Sequence, residues 1–382
     1  MRTIYTKENP FLSHVTDRYS LCQPGSPKNT QHLVLNLERS GIAYHVGDSI
    51  GILPVHDTEL VERTLLAMRV KCDESVCDKG SDHLVPLLHL LIHKRSITEV
   101  SRKLLNALAH KQQNVVKQAQ LQALLMPENK LALKEYIGSH EVWDTLHEHH
   151  EVCFAAEEWP DLLMPLLPRF YSIASSQKVA AEEVHLTIAL LEYQAGGHVR
   201  RGVCTHYLCK VVKMHEPVIP LFVQPSHGFT LPENPETSII MVGPGTGVAP
   251  YRAFMQERIA TGATGKNWLF FGEWNRSHHF FYQDYWLDLE AKGQLRLDVA
   301  FSRDQHHKVY VQDRMLEQQR DIFAWLQNGA HLYVCGDAQR MAKDVEVALH
   351  QILKEAGQMS DQAARDYIKQ LRIQKRYLRD VY

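Results

Sequence analysis

The sequence lacks most of the marks of a secreted, membrane-spanning or nucleic-acid-binding chain. Its first residues, MRTIYTKENPFLSHV, contain no continuous apolar stretch of the signal-peptide kind and read as mature sequence. No uninterrupted apolar run approaches the roughly 20 residues needed to cross a bilayer. There is no C-x-x-C, and seven cysteines in 382 residues do not make a disulfide framework. A cytoplasmic protein is expected. A surplus of one charge is missing too: 42 Lys and Arg stand against 44 Asp and Glu, a net charge of −2. Bulk electrostatics therefore give no reason to expect a nucleic acid or an anionic membrane as partner. Internal repeats and low-complexity segments are absent as well.

Two C-x4-C pairs, Cys72/Cys77 and Cys204/Cys209, have a spacing that can serve zinc. Neither has a second pair at finger-like distance, so no metal site is predicted. Three adjacent histidine pairs, His149-His150, His278-His279 and His306-His307, would diverge on a helix or strand and are read as solvated surface. What is present is ordinary for a folded protein, with 45% hydrophobic and 23% charged residues. The length suits two or three domains.

Residues 1–56 read as β structure: HLVLNL alternates Leu33, Leu35 and Leu37, and SGIAYHVGDSIGILP follows with Gly and Asp as punctuation. From Asp57 the pattern turns helical, with Asp57 or Thr58 as cap and Val61, Leu65 and Met68 at helical spacing. Helix-forming composition continues to about residue 151. β signatures return in PRFYSIASS, VHLTIALLEYQAGG and YLCKVVKMHEPVIPLFVQ, over 152–235. The helical block, 57–151, therefore looks inserted into a β domain. From 236 to 382 short apolar runs alternate with helical segments, the rhythm of a parallel-sheet α/β domain.

Three motifs carry chemistry. MVGPGTGVAPYR runs from a strand through Gly243, Gly245 and Gly247 into a helix, a place where backbone N–H groups can approach phosphate. It is neither G-x-G-x-x-G nor a P-loop, and a plain strand-to-helix turn is the alternative. AFSRDQHHKVYVQ places Ser302, Arg303, Lys308 and Tyr310 within nine residues. Two cations and two hydroxyls are the mixture a dianionic phosphate needs; a solvated basic turn is the bland reading. AHLYVCGDAQRMAKDV presents Cys335 at a strand end, where open α/β sheets bind ligands. Such a Cys is more often a packing residue than a nucleophile, and no neighbouring His makes a dyad.

Arg169-Phe170-Tyr171-Ser172, Gly202-Val203-Cys204-Thr205, GPGTGVAPYR, Ser302-Arg303, Lys308 to Gln312, CGDAQRMAKDV and RYLRDVY occur in one order along the chain. Together they resemble the ferredoxin–NADP-reductase-type module of the diflavin reductases, from about residue 10 to the last. Within that family the wording is most similar to the flavoproteins of NADPH sulfite reduction. The resemblance implies an antiparallel FAD-binding barrel, an inserted helical connecting subdomain and an NADP-binding α/β domain. It implies FAD and NADPH as cofactors. Arg169 would pair with the FAD pyrophosphate, Tyr171 would stack on the isoalloxazine beside Phe170, and Ser172 would lie near N5. Thr187, Ile188, Ala189 and Tyr193 would line the rest of the flavin, and Gly202, Val203, Cys204 and Thr205 would hold the pyrophosphate. Gly245 and Thr246 would meet the NADPH pyrophosphate. Ser302, Arg303, Lys308, Tyr310 and Gln312 would take the 2′-phosphate, and Asp344 the adenosine side. Ser172, Cys335 and Asp380 would form the catalytic group, with Tyr382 covering the isoalloxazine face and moving aside at each turnover. From the residues alone, Arg169 reads equally as a salt-bridge residue, Tyr171 as a core aromatic and Asp344 as a helix-dipole carboxylate.

Family members usually carry an FMN-binding domain ahead of this module, and the sequence begins almost where the module begins. A separate electron acceptor is therefore expected, either flavodoxin-like or a sirohaem/iron–sulfur protein. The helical block would be its docking surface or a retained scaffold. His279 stands where the family tends to have Asp, and Tyr285 where it tends to have Glu; a changed surface contact is expected. The predicted function is hydride transfer from NADPH to FAD N5 and electron delivery to a partner in a sulfite-reductase-like system. A reductase for free flavodoxin and a non-catalytic redox sensor or scaffold are the rivals.

Overall fold

A computed structural model describes residues 5–78 and 83–382. Residues 1–4 of the expected β segment and 79–82 of the helical one lie outside the described residues. The chain divides into two compact units: 1–51 with 170–190 and 214–382, and 52–169 with 191–213.

In the first unit, strand Thr30–Asn36 pairs antiparallel with Val15–Ser20 and with Glu183–Ala189. A four-stranded sheet runs Phe11–Ser13, Ile219–Gln224, Ser49–Ile52, Arg169–Ser172. Isolated bridges also link Ile173 to Leu186 and Val15 to Met214. HLVLNL alternates less cleanly than its sequence suggests, because Leu33, Val34 and Leu35 are all buried.

Five parallel strands follow in the order Arg296–Phe301, Asn267–Glu273, Ile239–Val242, His331–Gly336, Tyr377–Val381. Their apolar runs are continuous because both faces are covered. Ile239, Met241, Leu269, Phe271 and Tyr333 pack on one side with Tyr251 and Phe254 of helix Ala249–Ala260. Ile240, Val242, Phe270, Leu332 and Val334 pack on the other with Met315, Val345 and Leu349. The strand order reverses between Ile239–Val242 and His331–Gly336. A crevice opens at such a reversal, at the carboxyl ends of the strands.

In the second unit, six helices between Thr58 and Glu148 surround a core that includes Val61, Leu90, Leu104, Leu108 and Trp159. Asp57 caps the first of them, accepting from Glu59 N at 3.2 Å, and Ser101 caps Arg102–Lys111, accepting from Leu104 N at 2.9 Å. Hairpin strands Glu192–Ala195 and His198–Arg201 belong to this unit. Arg200, only 3% exposed, bonds Glu141 and Asp144 at 2.8 Å each. Buried charge is tolerable only when paired in this way.

Two expectations are corrected. Tyr207–Val211 is a π-helical turn rather than strand; strand begins only at Ile219. A continuous apolar run does not distinguish a buried helix from a strand, and Tyr207, Leu208 and Cys209 are buried together. His149 and His279 are also buried rather than solvated. His279 Nε2 meets Ser26 Oγ at 2.8 Å, so its difference from the family lies in an interior contact.

Candidate active site

The sheet reversal brings a small polar cluster together. Cys335 and Asp380 are register partners on adjacent parallel strands. Ser172 Oγ donates to Asp380 Oδ2 at 2.8 Å, and the Cys335 thiol lies 3.9 Å from the same oxygen. Cys335 is fully buried, and burial, followed by the Asp380 carboxylate, pushes its thiol well above the usual range. It is a protonated thiol, suited to packing and weak donation rather than nucleophilic attack. The glycine loop closes over it. A Cβ on Gly247 would stand 2.2 Å from the Cys335 carbonyl oxygen, so only glycine lets the loop lie this close. Gly245 takes φ +59°, also a glycine conformation. Beside the loop, Thr246 Oγ1 and Tyr382 OH are 2.9 Å apart, and Tyr382 N donates to Gly336 O at 3.1 Å. Tyr382 as a whole residue is 63% exposed.

A cavity of about 440 Å³ opens at the carboxyl ends of the same strands. Its lining unites Gly245, Ser302, Arg303, Lys308, Tyr310, Gln312 and Asp344, drawn from three βα connections. Thr246 is not in that lining; its hydroxyl faces Tyr382 instead. Sequence reasoning missed Lys28, Glu273, Trp274 and Arg340 on the cavity wall and gave no role to Asp337, which it placed at the strand end. Asp337 accepts from the amides of Gln339, Arg340 and Met341 at 3.0, 3.0 and 3.3 Å, and these bonds lower its pKa. Its position after a strand end was a usable signal, as was that of Glu273 and Trp274. Lys28 had none, being 245 residues from its partner Glu273.

The residues expected around the flavin fall in both units. In the first unit, Phe170 is 53% exposed and Ala189 is exposed. The Thr187 and Ile188 side chains are buried, so a ligand there would meet main chain. Thr187 Oγ1 instead contacts Tyr282 OH at 2.6 Å, Tyr282 OH contacts His32 Nδ1 at 2.8 Å, and His32 Nε2 contacts His185 Nδ1 at 3.0 Å. Burial lowers the pKa of His32 to about 2 and of His185 to about 4.

In the second unit, Arg169 lies 3.4 Å from Glu99, both side chains more than two-fifths exposed. Tyr193 is 47% exposed on its hairpin. Gly202 is the N-cap of Val203–His206 and is held by Gly202 N to Leu191 O at 2.8 Å. Thr205 Oγ1 donates to Gly202 O at 3.1 Å and accepts from Leu191 N at 3.2 Å, while Cys204 is buried. A polar cavity of about 200 Å³ lies in this unit, lined among others by His56, Thr98, Arg201, Val203 and His206. Burial holds His56 neutral, its pKa down to about 4. Among the described residues, no cluster of His, Cys, Asp and Glu could hold a metal ion, and no helix is long and apolar enough to cross a membrane.

Comparison with known proteins matches residues 4–207 to the FAD binding domain family and residues 241–347 to the oxidoreductase NAD-binding domain family. The sulfite reductase (NADPH) flavoprotein alpha-component of Bacillus subtilis (strain 168) is 43% identical over 379 residues, 99% of this chain and 62% of the relative. The protein of the same name from Shewanella oneidensis is 42% identical over 382 residues, 99% of this chain and 61% of the relative. That of Cronobacter sakazakii is 39% identical, over 100% of this chain and 62% of the relative. The chain thus spans about three-fifths of the length of the curated relatives it matches. It belongs to the FAD-binding-domain family and carries an oxidoreductase NAD-binding domain, which makes FAD and a nicotinamide dinucleotide its cofactors.

Proposed function

We propose that the protein is an NADPH-dependent flavoprotein reductase that passes electrons to a separate protein, as the flavoprotein of a sulfite-reducing system. The observation that carries this reading is the Ser172–Asp380–Cys335 cluster at the sheet reversal, with a basic cavity on the same sheet edge. The residues fit both cofactors. A Cβ on Gly202 would stand 2.7 Å from Thr205 Oγ1 and 2.9 Å from Leu191 Cβ, a tight turn of the kind that brings main chain to a diphosphate. Arg169, in the same unit, supplies a guanidinium fork. Its exposed pair with Glu99 is worth only about 0–1 kcal/mol, so a diphosphate displaces Glu99 at little cost. Arg303 and Lys308 give the other cavity the charge that a 2′-phosphate requires, which favours NADPH over NADH.

FAD, when bound, supplies a two-electron acceptor that takes hydride from NADPH and returns the electrons to an acceptor protein. NADPH is oxidised to NADP⁺, the acceptor gains two electrons, and one proton is released. The chain's own groups stabilise and align. Asp380 would supply a carboxylate to stabilise the nicotinamide ring as it becomes positive, and Ser172 holds that carboxylate by donating to Oδ2. The buried Cys335 thiol fixes the floor against which the ring is aligned. Tyr382, anchored through Thr246 and mostly exposed, would cover the isoalloxazine and would have to move aside for the nicotinamide.

A sirohaem/iron–sulfur protein is the proposed acceptor because the relatives are named as components of sulfite reductase. A cytoplasmic setting suits seven free cysteines, three of them exposed. The test is anaerobic titration of the FAD-loaded protein with NADPH and then with NADH, followed by addition of acceptor. Bleaching by NADPH at far lower concentration than by NADH is expected. A protein that takes up no FAD, or that NADH bleaches equally well, overturns the reading; reoxidation by a flavodoxin alone would replace the proposed acceptor.

A further inference from the structure

The nucleotide cavity contains an arrangement that no motif announced. Strand Asn267–Glu273 ends on a carboxylate that is only 7% exposed and accepts from Lys28 Nζ at 2.7 and 2.8 Å. The same carboxylate accepts from Trp274 N at 2.6 Å. The Trp274 ring carries the Arg303 guanidinium 3.3 Å from its centroid and the Lys28 ammonium 4.0 Å from it. The main chains are laced as well: Ser302 N donates to Glu273 O and Arg303 N to Trp274 O, both at 2.8 Å.

The two cations differ in what they can offer a ligand. Lys28 is neutralised at bonding distance by Glu273. Arg303 is exposed and, among the described residues, pairs with no carboxylate. An exposed arginine samples many rotamers, and part of that freedom is lost when it grips an anion. Stacking on an indole fixes the guanidinium plane in advance, so less is lost on binding.

We infer that Trp274 is a specificity-determining residue for 2′-phosphorylated nicotinamide dinucleotides, a positioning residue that pre-orients Arg303. The inference rests on the NADPH reading above and deepens it by saying why one loop arginine discriminates.

The test measures equilibrium binding of adenosine 2′,5′-bisphosphate and of 5′-AMP to the full-length FAD-loaded protein, with no turnover. It compares wild type, Trp274→Ala, Trp274→Phe, Arg303→Ala and the Trp274→Ala/Arg303→Ala double variant. Wild type is expected to prefer the bisphosphate. Trp274→Ala should weaken the bisphosphate about five-fold, the fold-change of a cation–π contact near 1 kcal/mol. Its 5′-AMP affinity should stay within about two-fold on the same scale. Phe should restore most of the loss, and the Ala substitution should add nothing when Arg303 is already gone.

Equal weakening of both ligands, or an undiminished effect in the Arg303→Ala background, would make Trp274 a mere wall and overturn the inference. Should Trp274→Ala not fold, Trp274→Phe carries the same comparison in both backgrounds, with a small loss confined to the bisphosphate supporting it and equal losses overturning it. A wild type that does not distinguish the two ligands overturns the NADPH reading itself, a different failure from a wild type that discriminates while Trp274→Ala discriminates equally well.

Discussion

The two ends of the nucleotide site on the parallel sheet solve opposite problems. At the sheet reversal, Ser172, Cys335 and Asp380 satisfy one another, with Cys335 fully buried. At the cavity mouth, Arg303, Lys308 and Tyr310 are exposed, and Arg303 owes its pose to Trp274 rather than to a counter-ion. A hydrogen-bonded, partly buried cluster keeps its geometry without ligand, and a carboxylate partly withdrawn from water acts more strongly than one in bulk solvent. A wet cluster must stay open to attract a doubly charged group and can be only partly pre-set. The buried end should therefore govern the rate of chemistry and the exposed end the choice and affinity of nucleotide.

The sharpest way to break that division is Asp380→Asn, which keeps the shape and removes the charge. Loss of one preorganised electrostatic group typically costs about 100-fold or more in kcat. NADPH-dependent ferricyanide reduction should fall by about that factor, with KM for NADPH changed less than about three-fold. A variant that lost affinity but kept its kcat would place Asp380 in binding instead.

Arg303→Ala probes the opposite end with a smaller effect. Hydrogen bonds to charged groups contribute about 1.5–3 kcal/mol, so KM for NADPH should rise roughly 10- to 100-fold. KM for NADH and kcat should hold, and the salt dependence of KM should flatten because a screened charge has gone. If NADH suffered equally, the cavity would be reading adenosine rather than the 2′-phosphate.

How much of this was legible beforehand follows the same line. Seven expected residues meet in one cavity because successive βα connections of a parallel sheet all end on one edge, a consequence of topology that local motifs inherit. Cys335 and Asp380 were grouped by the family resemblance, and the parallel register supplies the physical reason, since they are partners on adjacent strands. Lys28 was not legible, since its partner lies 245 residues away and nothing in PGSPKN signals a long-range ion pair. Trp274 was nearly legible, standing one residue past a strand end, yet no motif marked it. Tyr207–Val211 was misread because apolar continuity has no period to separate helix from strand. The Thr187–Tyr282–His32–His185 chain was invisible for a related reason: alternation marks which face is buried, not which buried groups are polar.

That chain offers the mildest test of the contrast between buried and exposed polar groups. His185 is faced by Arg252, His32 and Glu183, and His32 also by Tyr282 and Tyr19. Desolvation, then the Arg252 charge, holds His185 near pKa 4, against an ordinary value of 6.5. A histidine depressed in the folded state contributes stability that is fully present above pH 6.5 and is lost as pH falls toward 4, because the unfolded chain binds the proton first. At pH 5.5 the loss from this one group is on the order of 1 kcal/mol. Urea midpoints should therefore drop between pH 7.5 and 5.5, and the drop should shrink in His185→Gln, which keeps a neutral hydrogen-bonding side chain in place. Arg303→Ala should leave the pH dependence of the midpoint unaltered, since Arg303 takes no part in this hydrogen-bond chain. A His185→Gln protein as acid-sensitive as wild type would mean that the buried chain is not where the protons enter.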